Sequence, residues 1–120
     1  MRFVFPQTLE ILQKAGMNAD HSLGYRTRIG YRCGTGFPYS LYNLTNESMT
    51  DIVEHPLVIM DQCLLKIALN QKVNIKDVHD AFIDANKYLT LISYNFHNSI
   101  FDYAEMRGMD IRRTYNEIVR

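Results

Sequence analysis

The run Pro56-Leu-Val-Ile-Met60 constrains this chain more than any other stretch. It is continuous and apolar, opened by proline and closed by Asp61. A half-buried strand would alternate apolar and polar residues. An unbroken run reads instead as a strand covered on both faces, as in a parallel sheet flanked by helices. The neighbouring segments agree. Pro6 to Ala15 reads as a helix: proline suits the first turn, Leu9, Ile11, Leu12 and Ala15 supply an apolar stripe, and Gly16 is a stop. Met17 to Ala19 is a short extended piece ending at Asp20. A second helix begins near Ile75, with Asn74 as N-cap and Asp77 completing a weak capping box. Val78, Phe82, Ala85 and Leu89 mark its apolar face. Leu89 to Asn95 turns β-like, and Ile111 to Val119 reads as a short amphipathic helix. The predicted order is helix, strand, long loop, strand, helix, strand, loop, helix. That alternation implies an α/β fold with a mostly parallel sheet and covering helices.

Residues 24–50 are the long loop, rich in Gly, Pro, Asn, Ser and Thr. Loops beyond about 12–15 residues in a compact domain are usually functional or disordered. The aromatics Tyr25, Tyr31, Phe37, Tyr39 and Tyr42 argue against disorder. The 120 residues suit a single domain, and a 47% hydrophobic content suits a real core. Thirteen basic residues balance thirteen acidic ones, so the basic field that nucleic acid demands is missing. No apolar run approaches the roughly 20 residues of a membrane span. The start, Met1-Arg-Phe-Val-Phe-Pro6, lacks the apolar core of a secretory signal, which favours the cytoplasm. Cys33 and Cys63 make neither a disulfide framework nor a zinc site, and read as reduced, packed thiols.

His97 is the leading candidate for chemistry. It follows a predicted strand directly, so its ring would project at the C-terminal rim of the sheet. Asn98 and Ser99 beside it could fix a tautomer. A surface-loop histidine is the plain alternative. Asp20 and Asp61 each end a predicted strand and could orient His97 if the strands are neighbours; as turn formers or caps they would do neither. Arg26, Arg28 and Arg32 lie in the long loop, where an arginine fork could hold a carboxylate. Arg32, between glycines and aromatics, is the preferred one, and Arg26 and Arg28 read as solvated. Gly30, Gly34 and Gly36 match no nucleotide-binding pattern. The histidines form no His-x-x-x-His pair, and Ser22 and Ser99 lack a nucleophile context.

Taken together, several segments resemble the later part of polysaccharide deacetylases of the NodB-homology type. They are Pro6 to Tyr25, Gly30-Tyr-Arg-Cys-Gly-Thr-Gly-Phe-Pro-Tyr-Ser-Leu-Tyr-Asn-Leu44, Glu54-His-Pro-Leu-Val-Ile-Met-Asp61 and Phe96-His-Asn98. They follow the family's order over nearly the whole chain and look most like a bacterial branch. The resemblance implies a partial (β/α) barrel whose complete form removes acetyl groups from amino sugars. In that family an Asp and two His hold a divalent metal, with zinc the expected one, which polarises the amide and activates water. A second Asp is the base, a late His protonates the leaving amine, and an Arg and an Asp tune these groups. His97 falls at the late-His position, with Asp20 as its first-choice partner and Asp61 as the second. Arg32 or Arg2 would be the arginine. Tyr31, Phe37, Tyr39 and Asn98 would line the carbohydrate site.

The family's Asp-Asp and His-x-x-x-His motifs do not occur in these 120 residues. The chain therefore resembles the C-terminal half of the barrel, with no cofactor of its own and no expected activity alone. Two other readings stay open: a non-catalytic carbohydrate-binding module, and an α/β assembly domain that forms a homodimer through an exposed barrel edge.

Overall fold

A computed structural model describes residues 3–69, 75–108 and 111–119. The fold is mixed α/β, with short strands in two sheets. In chain order the elements are α1 (Gln7–Lys14), β1 (Ala19–Asp20), β2 (Tyr39–Asn43), β3 (Ser48–Glu54), β4 (Leu57–Met60), α2 (Asp61–Ala68), α3 (Ile75–Tyr88), β5 (Ser93–Asn95), α4 (Ser99–Glu105) and α5 (Ile111–Val119). The first sheet has the order β1-β3-β2, with β1 parallel and β2 antiparallel to β3. The second sheet pairs β4 with β5 in parallel. No closed barrel forms among the described residues.

Each sheet has its own core. β4 is buried at Leu57, Val58 and Ile59, as its unbroken apolar run requires. Around Val58 and Ile59 pack Leu64, Val78, Ala81, Ile100, Ala104 and Ile111 from α2, α3, α4 and α5. The second core joins Leu9 of α1 to Leu23, Leu41 and Ile52 over the first sheet. α1 ends as expected. Gly16 takes φ +69°, its N–H bonds Gln13, and the Met17 N–H bonds Leu12, closing a Schellman turn.

Five elements differ from the sequence reading. The 24–50 loop contains β2 and the start of β3. Their inward positions are Tyr39, Leu41 and Asn43, then Thr50, Ile52 and Glu54. Half of these are polar, which hides the alternation that marks a strand. α2 starts on the residue after β4, so no loop residues announce it. α4 is a short helix that buries only Ile100 and Ala104. β5 is shorter than the expected Leu89–Asn95 because α3 ends on a turn that uses Leu89. The expected Asn74 cap lies outside the described residues.

Candidate functional site

β4 and β5 run side by side with Met60 opposite Asn95. Both chains leave the sheet at the same rim. Asp61 is the residue after β4 and opens α2, where the helix N-terminus favours its negative charge. His97 follows β5 after one residue, Phe96, which is held edge-on against Tyr115. The two side chains meet. His97 donates its backbone N–H (2.9 Å) and its ring Nδ1–H (2.6 Å) to Asp61 Oδ2. The Asp61 side chain is only 3% exposed and the His97 side chain 60%, so the carboxylate is fixed inside and the ring faces out. Downstream, the Ile100 N–H bonds the His97 carbonyl and begins α4.

The chemistry follows from which nitrogen is bound. A carboxylate only accepts, so the neutral ring keeps its proton on Nδ1 and leaves Nε2 bare toward solvent. Protonated, the imidazolium keeps Asp61 as counter-charge and presents Nε2–H. One exposed nitrogen can thus take or give a proton while the other stays anchored.

Asp61, rather than the first-choice Asp20, is the partner of His97. Asp20 lies in the other sheet, beside Glu54 in register, and its Oδ2 accepts from the Ser22 hydroxyl (2.8 Å). Arg32 donates to the Gly24 carbonyl (3.3 Å) and makes no bond to Asp61 or His97. Arg26, read as solvated, reaches Gln62 Oε1 (2.8 Å), next to Asp61. Arg28 lies 3.7 Å over the Tyr25 ring. Tyr31 shares a hydrogen bond with Thr90 (2.9 Å), and Phe37 is exposed. Tyr39 sits in the first sheet opposite Glu54, away from the His97 rim. Asn98 caps α4 by accepting the Ser99 N–H (2.8 Å). Arg2 lies outside the described residues.

Sequence reasoning missed Glu54. It is fully buried at the end of β3, in a row with Tyr39 of β2 and Asp20 of β1. Its Oε1 accepts the Leu23 N–H (3.2 Å), and its Oε2 has no hydrogen-bond partner among the described residues. Burial, and then the neighbouring Asp20, lift its carboxyl to about 8. Burial, followed by Cys33, pushes the Tyr39 phenol up as well, so it stays neutral. β3 carries two acids, Asp51 and Glu54, and their three-residue spacing puts them on opposite faces, so no period-two pattern marks the buried one.

Comparison with protein-family models, with characterised proteins and with solved structures yields no match. Among the described residues no three His, Cys, Asp or Glu side chains converge to hold a metal ion. The described residues alone therefore offer no three-ligand set for the divalent metal that the deacetylase resemblance implies. No described helix is long and apolar enough to cross a membrane.

Proposed function

We propose that this chain is the C-terminal half of a deacetylase-like (β/α) barrel acting on N-acetylated sugars, and that it supplies the proton-transfer histidine. The observation that carries the reading is the Asp61–His97 pair at the carboxyl ends of two adjacent parallel strands. In amide hydrolysis water adds to the acetyl carbonyl carbon, the C–N bond breaks, and the amine nitrogen must gain a proton. Protonated His97 would give that proton from Nε2 and regain one from solvent. Asp61 would hold the ring in place and stabilise its positive form. Water activation falls to residues that this chain does not carry.

The second reading, an assembly or carbohydrate-binding module, is favoured by the exposed Leu91 just before β5 and the exposed Tyr94 within it, in a strand that pairs with β4 alone among the described residues. One experiment separates them. The purified chain is assayed with zinc for acetate release from an N-acetylated oligosaccharide, alone and with a barrel half carrying Asp-Asp and His-x-x-x-His. Deacetylation only in the mixture, reduced roughly 10²–10⁴-fold by His97→Ala, supports the first reading. Sugar binding without turnover, or a dimer with neither, supports the second. Zinc-dependent acetate release by the chain alone refutes the half-barrel reading.

A further inference from the structure

The row of Tyr39, Glu54 and Asp20 lies across three adjacent strands, remote from the His97 rim and unused by the function proposed for it. Glu54 has no accessible surface, one lone backbone donor on Oε1 and none on Oε2. A charged carboxylate in that setting would be desolvated and largely unpaired. The groups around it supply no counter-charge. β1 presents Asp20, β2 presents the neutral Tyr39 phenol, and the loop between β1 and β2 presents Cys33 and Leu23. α1 contributes Leu9 and Leu12 to this core, while its Glu10 and Lys14 lie at the other end of the sheet with Asn43 and Asn46. Arg32 is engaged by the Gly24 carbonyl. His21 and His55 follow Asp20 and Glu54 in sequence and stack on each other, with ring centroids 4.5 Å apart.

We propose that Asp20 and Glu54 form a one-proton latch between β1 and β3, closed while Glu54 is a neutral acid. The short β1 depends on few bonds. The Val53 N–H donates to the Asn18 carbonyl (2.9 Å) and the His55 N–H to the Asp20 carbonyl (2.8 Å). The Glu54 proton lets the two acid side chains lie side by side above this ladder, and a second negative charge there pushes the strands apart.

The direction of the pH effect follows from proton counting. Opening β1 exposes Glu54 and returns it to its ordinary value. Between 4.5 and about 8 the closed form then holds more protons than the open one, so raising the pH favours opening. The closing equilibrium weakens about tenfold per pH unit in that window. Above it both forms are ionised and the loss levels off.

Two measurements on the intact chain test this. Carboxyl ¹³C NMR of the unsubstituted protein should place the Glu54 midpoint near 8. Hydrogen exchange, corrected for intrinsic base catalysis, should show protection of the Val53 and His55 amides falling with pH and then levelling, while β2–β3 amides hold. In Glu54→Gln that fall should vanish. Asp20→Asn should lower the Glu54 midpoint without restoring an ordinary one, because burial is the larger cause. An ordinary Glu54 titration, pH-independent protection, or a midpoint unmoved by Asp20→Asn overturns the latch; the first needs no variant to fold.

Discussion

At the residue scale, exposure misjudges His97. A side chain 60% exposed would ordinarily be replaced at little cost, yet its ring and backbone are both bound to the buried Asp61 carboxylate. Removing the ring leaves a desolvated anion that keeps the His97 backbone N–H but loses the ring donor, a penalty of about 1–3 kcal/mol. His97→Ala should therefore destabilise the chain by that amount in urea unfolding at neutral pH. Asp61→Ala should do so too, and the double variant should lose less than the sum, with a coupling of about 1 kcal/mol or more. Additive losses would mean that the pair does not act as a unit. His97 itself was legible, because a histidine just past an apolar run is placed at a strand end by chain order alone. Its partner was not. Asp20 and Asp61 have the same local pattern, and only strand adjacency distinguishes them. Glu54 was least legible, since its burial depends on the facing of β3 and the packing of α1, which no local pattern reports.

At the element scale, helix ends were read well where glycine marked them. α1 stops at Gly16 as expected. α3 stops on the same turn without one: the Thr90 N–H bonds Ala85, the Leu89 N–H bonds Asn86 (2.9 and 3.4 Å), and Leu89 takes φ +53°. A leucine in that region carries a strain of about 1–2 kcal/mol that glycine does not. Its side chain is 87% exposed, so little packing offsets the strain. Because apolar Leu89 continues the helix face in sequence and then opens a β-like run, the boundary was invisible, and β5 was expected to begin there. Leu89→Gly should raise stability by about 0.5–1 kcal/mol after the extra freedom of the unfolded glycine is counted. A thermal melt showing a lower midpoint for Leu89→Gly would mean that the leucine side chain matters where the structure shows it exposed. Both sheets were only half read for a related reason. The apolar run of β4 declares itself, whereas β2 and β3 place Asn43, Thr50 and Glu54 inward and so lose the alternation that would have announced them.

At the scale of the whole molecule, the chain is elongated. Its radius of gyration is 16.0 Å, against about 13–14 Å for a compact chain of this length. The buried side chains form two small cores rather than one, and the 21–38 segment ties them together. Leu23 and Cys33 pack into the core over the first sheet, whereas Ile29 and Tyr31 pack against the core around β4. Between these anchors the Gly30 N–H bonds the Val58 carbonyl (3.2 Å) and the Tyr31 hydroxyl bonds Thr90 (2.9 Å). Gly36 closes the strap. A Cβ there would sit 2.6 Å from the Tyr31 ring and 2.8 Å from the Thr90 hydroxyl, closer than atoms pack. The aromatics of the long loop argue against disorder, but its role as a strap between two sheets depends on contacts far apart in sequence. Gly36→Ala should force Tyr31 off Thr90 and cost about 1–3 kcal/mol. Because it loosens the tie and leaves both cores intact, the loss should also reduce cooperativity. In calorimetry the single transition of the unsubstituted chain should broaden or split, while far-UV circular dichroism at low temperature stays unchanged. A sharp single transition at an unshifted midpoint would show that the cores are coupled by some route other than the strap.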